Sequence, residues 1–291
     1  DFRRSRGLGD VYKRQLKGFI KLARLDRPIG IWLIFWPALA TLLATTQGQD
    51  FAKNLFIIII GSIVVRSLGC VINDIFDRNI DSKVARTKDR PIAAGQISVY
   101  EALIFSLFLS LIAILILINT NFQTILISLC FGLLIIIYPL MKRVFWGPQI
   151  FLGLVFNPAL IVSAMNSNLS KLSLLLYIAF FFWVVAYDTY YGLADINDDK
   201  KIGVNSTAIA WGHWSKLGVI ILQTIFLLLL VAYGTLMGFT NIWFVGLIGI
   251  IIFFLYQALL AQKNLFIKAF KNNGLVGAFI CLLLFFEFII K

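Results

Sequence analysis

A chain of 291 residues that is 60% apolar and only 14% charged cannot cover a water-soluble domain with polar side chains. Its formal charge of +12 would suggest nucleic acid in a soluble protein. Here the basic residues flank long apolar runs, where they set membrane topology and meet anionic lipid headgroups, so no nucleic-acid partner is expected. Cys70, Cys130 and Cys281 all fall within apolar runs and His213 is the single histidine, which leaves no disulfide framework, no zinc-ligand spacing and no histidine-centred catalysis.

In chain order, residues 1–15 (DFRRSRGLGDVYKRQ) are basic and lack the apolar core of a signal peptide. They read as a non-native or disordered leader ahead of a single transmembrane domain over 16–291. The run LKGFIKLARLDRPIG then places Leu16, Phe19, Ile20 and Ala23 at helical spacing among basic residues, the pattern of a short interfacial helix. Nine apolar blocks of membrane-crossing length follow, at 29–46, 54–74, 99–118, 122–141, 147–165, 172–192, 217–237, 242–261 and 274–290. Charge tests that count. Of the 26 Lys and Arg, only Lys53, Lys171 and Lys291 fall on the side opposite the rest, with Arg66 inside the second block. The positive-inside rule then places the N-terminus in the cytoplasm and the C-terminus outside.

Eight of the fourteen acidic residues concentrate in two segments, after the second and sixth blocks. The first reads Asn73-Asp74-Ile75-Phe76-Asp77-Arg78-Asn79-Ile80-Asp81. If the helix continues past the membrane, steps of three and four put Asp74, Asp77 and Asp81 on one face. In the second, steps of seven and four align Asp188, Asp195 and Asp199, with Asp198 as a neighbour. The segments lie four spans apart, on the same side, in equivalent places of two parallel four-span halves. Any single aspartate of this kind could be a solvated helix end, but that does not account for two registered clusters. Oxygen-only clusters suit Mg²⁺, which keeps several waters and binds through few carboxylates plus substrate phosphates. Arg86, Lys88, Arg90, Lys142, Arg143, Lys200 and Lys201 lie nearby in sequence to hold the remaining phosphate charge, so the pattern asks for a diphosphate. Glu287 near the outer end of the ninth block reads as interfacial, and Asn157-Pro158 as a kink in the fifth.

These residues resemble a known family. NDIFDRNID (73–81) with ARTKDRPIAAG after it is similar to the first aspartate motif of the UbiA superfamily of intramembrane prenyltransferases, and AYDTYYGLADINDDKKIGVNSTA (186–208) to the second. RLDRPIG (24–30) and YPLMKRVFWGPQIFLG (138–153) resemble segments of its 4-hydroxybenzoate polyprenyltransferases, the members that serve ubiquinone synthesis. The resemblance implies an all-α membrane protein: nine transmembrane helices in one bundle, as two four-helix halves plus a ninth helix. It implies a cavity open to lipid for the isoprenoid tail and a diphosphate site at the cytoplasmic rim. Asn73, Asp74, Asp77 and Asp81 would hold one Mg²⁺ and Asp188, Asp195 and Asp199 another, with Asp74, Asp77, Asp195 and Asp199 central to catalysis. Arg143, or else Arg27, would pair the carboxylate of an aromatic acceptor such as 4-hydroxybenzoate. The expected localisation is a bacterial or mitochondrial inner membrane.

Two alternatives stand beside this reading. A naphthoate or tetrapyrrole acceptor would keep both aspartate motifs and differ at the acceptor pocket. A transporter of cations or phosphorylated solutes would place its ionisable groups near the bilayer midplane, whereas these lie at span ends.

Overall fold

The computed structural model describes residues 13–46, 50–84 and 86–290, and no β-strand occurs among them. Helix α1 covers residues 13–22. It is followed by α2 (Ile29–Thr45), α3 (Phe51–Asp81), α4 (Val99–Leu117), α5 (Phe122–Val144), α6 (Pro148–Val155) and α7 (Ala159–Met165). The second half comprises α8 (Lys171–Ile202), α9 (Thr207–Trp211), α10 (Ser215–Met237), α11 (Asn241–Gln262) and α12 (Phe266–Ile290). Eight spans among the described residues are long and apolar enough to cross a membrane, with α6 and α7 making up one of them, and α2 is a ninth, shorter apolar helix. Of the leader, residues 1–12 lie outside the described residues, whereas 13–15 begin α1 and Gln15 Nε2 donates to Glu101 Oε1 at 2.7 Å.

The chain forms a closed ring of helices. α3 packs against α2, α4 and α5; α8 packs against α6, α7, α9, α10 and α12; α12 returns to α2. The largest core surrounds α8, where Trp183 stacks on Phe226 (centroids 5.8 Å apart) and donates from Nε1 to Asn273 Oδ1 at 2.8 Å. The outward faces of α4 and α5 expose Leu103, Leu107, Phe108, Leu111, Leu129 and Leu133. In water that apolar surface would be costly; against acyl chains it is the expected covering of a span.

The break between α6 and α7 falls at the expected kink. Pro158 cannot donate a helical hydrogen bond to Leu154 O, which accepts from Tyr177 Oη at 2.8 Å instead, while the buried Asn157 donates from Nδ2 to Tyr177 O at 2.7 Å. At the other end of the spans from the acidic motifs, Asn166 Nδ2 donates to Thr45 Oγ1 (2.6 Å) and Thr46 Oγ1 (2.9 Å), and its Oδ1 accepts from Asn54 (2.8 Å). This ties α2, α3 and α7 together. Glu287, near the end of α12, is 1% exposed. Its carboxylate accepts from Thr240 N at 2.9 Å and Thr240 Oγ1 at 2.6 Å, at the N-terminus of α11 where backbone N–H groups lack helical partners.

Two helices overshoot. At 1.5 Å per residue, the 31 residues of α3 and the 32 of α8 reach roughly 45–50 Å, against about 30 Å of hydrocarbon. Each therefore projects several turns beyond its apolar stretch, and the acidic motifs ride on those projections. Gly203, in the left-handed conformation with φ 70°, ends α8.

Candidate active site

On the end of α3, Asp74, Asp77 and Asp81 share one face as their spacing requires, and each is at most 5% exposed. Buried carboxylates need partners, and here they are cationic. Asp74 takes Arg24 Nη2 at 2.9 Å on both oxygens and Arg90 Nη1 at 3.1 Å. Arg90 Nη1 also donates to Asp81 Oδ2 at 2.6 Å. Lys142, from the end of α5, donates to Asp77 Oδ2 at 3.1 Å and Asn73 Oδ1 at 3.4 Å. Asp77 Oδ1 is buried without a hydrogen bond, and Arg143 stands 4.0 Å from it while donating to Phe76 O at 2.9 Å. Burial alone would lower the Arg90 guanidinium, but Asp74 and Asp81 beside it more than offset this and hold it above its ordinary value.

The second motif closes on the first through the loop after α3. Arg86 donates from Nε (2.7 Å) and Nη2 (2.5 Å) to the two oxygens of Asp195, a forked pair, and lies 4.7 Å from the centroid of the Tyr191 ring. Asn205 N donates to Lys142 O at 2.9 Å, joining the loop after α8 to the end of α5. Asp188 is half-buried one turn below Tyr191. Asp199 lies beyond the apolar stretch of α8, and burial first, then Asp195, push its carboxyl up to about 7. A carboxylate so placed gains by facing a cation.

Thus Asn73, Asp74, Asp77, Asp81, Asp188, Asp195, Asp199, Arg86, Arg90 and Lys142 converge at one end of the bundle. Lys88, Lys200 and Lys201 stay on the exposed surface, Lys201 only 3.9 Å from Asp198 within its own helix. Arg27 is not brought in: its side chain is 77% exposed and pairs loosely with Asp26 at 3.7 Å. No group of three acidic, histidine or cysteine side chains among the described residues forms a ready-made metal cage. The donor set is still the one a hard dication takes. It is all oxygen, includes the unbonded Asp77 Oδ1, and suits Mg²⁺ that keeps waters and shares its shell with phosphate.

Arg66 has no part in the sequence reading beyond its place inside a span. It lies two turns before Asn73 on the same face of α3. Its guanidinium carbon is 5.2 Å from the Phe156 ring centroid, its Nε is buried without a hydrogen-bond partner, and the phenols of Tyr138, Tyr187 and Tyr191 are close enough to feel its charge. Gly30 makes room for it, because a Cβ there would come within 2.3 Å of Nε. The signal available in the sequence was its position, since an ionisable residue at membrane depth is expensive and marks function by default.

Fold and site together define an integral-membrane helical bundle with an acidic, cation-lined site at the ends of two long helices. The chain belongs to the UbiA prenyltransferase family, whose model matches residues 34–283. It is 38% identical over 276 residues to a 4-hydroxybenzoate octaprenyltransferase of Nitrosomonas eutropha, covering 93% of this chain and 96% of that one. The fold is similar to the apo structure of a UbiA homolog from Aeropyrum pernix K1 (TM-score 0.75, 22% identity, 86% of this chain and 94% of that one). It is also similar to a UbiA homolog from Archaeoglobus fulgidus bound to GPP and Mg²⁺ (TM-score 0.71, 19% identity, 94% and 99%).

Proposed function

We propose that the protein transfers a polyprenyl chain from its diphosphate to 4-hydroxybenzoate, in a Mg²⁺-dependent reaction at the cytoplasmic face of a bacterial inner membrane, as a step of ubiquinone synthesis. The observation that carries this reading is the stacking of two kinds of charge along α3. A cluster of carboxylates and cations sits at the helix end, and a guanidinium whose Nε is buried without a hydrogen bond sits two turns deeper, roughly 10 Å along the axis. The first suits a metal diphosphate, the second the carboxylate of a small aromatic acid. The name of the Nitrosomonas relative supports the pairing of substrates.

Asn73, Asp74, Asp77 and Asp81 would hold one Mg²⁺ and Asp188, Asp195 and Asp199 a second; the ions, when bound, neutralise the charge that grows on the departing diphosphate. Arg86, Arg90 and Lys142 would donate to phosphate oxygens as the allylic C–O bond breaks. Lys88, Lys200 and Lys201 add a positive field at the mouth. The acceptor's carboxylate meets Arg66, which we favour over Arg143 and Arg27 because it lies deeper along α3, its Nε is buried without a hydrogen bond, and no carboxylate forms an ion pair with it among the described residues. Held there, the acceptor turns its phenol end toward the diphosphate, and the ring carbon ortho to the hydroxyl attacks the allylic cation. The ring then loses that carbon's proton.

Turnover with purified protein tests the metal reading. Activity should vanish with excess chelator and return with Mg²⁺, and Zn²⁺ should replace it poorly because the site has no sulfur or imidazole ligands. Full turnover in excess chelator would refute it.

A further inference from the structure

Helix α1 ends in a Schellman turn: Leu25 N donates to Ile20 O at 3.0 Å and Arg24 N to Lys21 O at 3.1 Å. Arg24 occupies the left-handed position of that turn, with φ 57°. Glycine meets this backbone demand without strain, whereas an L side chain crowds its own backbone there. Strain at a defined residue points to something the side chain supplies. What glycine would lack is the guanidinium. Its Nη1 donates to Lys21 O at 2.9 Å, and its Nη2 sits at 2.9 Å from both oxygens of Asp74, which is 2% exposed.

The arrangement pins Asp74 from a second element. One end of the guanidinium is fixed to the end of α1 and the other straddles the carboxylate, so the plane of Asp74 is set by the surface helix as well as by α3. A carboxylate offers about four lone-pair directions. Arg24 takes one on each oxygen, and Arg90 Nη1 stands at 3.1 Å from Oδ1 as an ion pair, so the lone pair on Oδ2 that Arg24 does not take has no cation beside it.

We infer that Arg24 is a positioning residue for the prenyl transfer: clamped between the end of α1 and Asp74, it holds that carboxylate in the orientation in which its free Oδ2 lone pair serves the Mg²⁺ diphosphate. The inference rests on the reading of Asp74 as a metal ligand. It also gives the segment 24–30 a joint purpose, with Arg24 setting Asp74 and Gly30 admitting Arg66.

Because glycine suits the turn better than arginine, Arg24→Gly separates the two roles. In detergent-solubilised protein, Arg24→Gly should keep a metal-free melting temperature close to that of the wild type. Its Mg²⁺ concentration for half-maximal turnover should rise about tenfold or more, and the rise in melting temperature on adding Mg²⁺ with inorganic pyrophosphate should shrink accordingly. Arg24→Lys keeps a charge near Asp74 but cannot also reach Lys21 O, and should recover part of both readouts. If Arg24→Gly does not accumulate as folded protein, Arg24→Asn, which also tolerates the left-handed conformation, is read in the same way. Asp74→Asn is the reference. A wild-type Mg²⁺ response in Asp74→Asn overturns the metal reading itself. Loss in Asp74→Asn with a wild-type response in Arg24→Gly overturns the role of Arg24 and makes it a helix terminator only.

Discussion

Arg66 carries the sharpest energetic consequence at the scale of single residues. Its guanidinium cannot shed its charge, and a ligand carboxylate at the unbonded Nε beside Phe156 would relieve the cost of placing it there. Arg66→Gln should therefore raise the acceptor KM by about ten- to a hundredfold, the scale of one charged hydrogen-bond pair, and change the diphosphate KM by less than about threefold. Steady-state kinetics with each substrate varied in turn provides the check. A shift in the diphosphate KM alone would move Arg66 into the phosphate clamp. The carboxylates should behave differently. Asp77→Ala and Asp195→Ala should each lower kcat by about a hundredfold or more, as expected for groups aimed at transition-state charge, with the protein still inserted in the membrane. Near-normal turnover in both would return these residues to the role of helix-end solvation.

At the scale of elements, the end of the bundle away from the acidic motifs is held by polar contacts whose loss should cost stability and leave the chemistry alone. Glu287→Ala removes both hydrogen bonds to Thr240, the N-cap of α11. We expect about 1–3 kcal/mol of destabilisation, read as a lower melting temperature in detergent, with turnover per folded molecule unchanged. The elements were also where the sequence was most informative. Runs of apolar residues located every span, and Asn157-Pro158 located the break between α6 and α7. Hydropathy ended the second span at 74 and the sixth at 192, whereas the helices continue to Asp81 and Ile202. Apolarity reports the membrane boundary, not the end of the hydrogen-bond ladder. The ninth helix begins earlier, at Phe266, because Lys268, Lys271, Asn272 and Asn273 hide about two helical turns from any hydropathy reading. Pairings across the chain were beyond reach. Which of several cations meets which aspartate depends on long-range packing, so Arg24 on Asp74 and Arg86 on Asp195, 50 and 109 residues apart, emerge only once the ring closes.

For the whole molecule, the division of surfaces accounts for the chemistry. An apolar exterior on α4 and α5 keeps the protein, and a long isoprenoid tail, in the bilayer. Helices longer than the bilayer is thick lift the charged motifs to its rim, where a diphosphate stays hydrated until it binds. Between the two lies Arg66, two turns before Asn73 on α3. The central claim is tested most directly by mass spectrometry of the lipid product. Purified protein, Mg²⁺ and a polyprenyl diphosphate would be offered 4-hydroxybenzoate, a hydroxynaphthoate and a tetrapyrrole side by side. Prenylated 4-hydroxybenzoate as the dominant product, lost in Arg66→Gln at low acceptor concentration, is the predicted result. Prenylation of the naphthoate or the tetrapyrrole with 4-hydroxybenzoate untouched would contradict it.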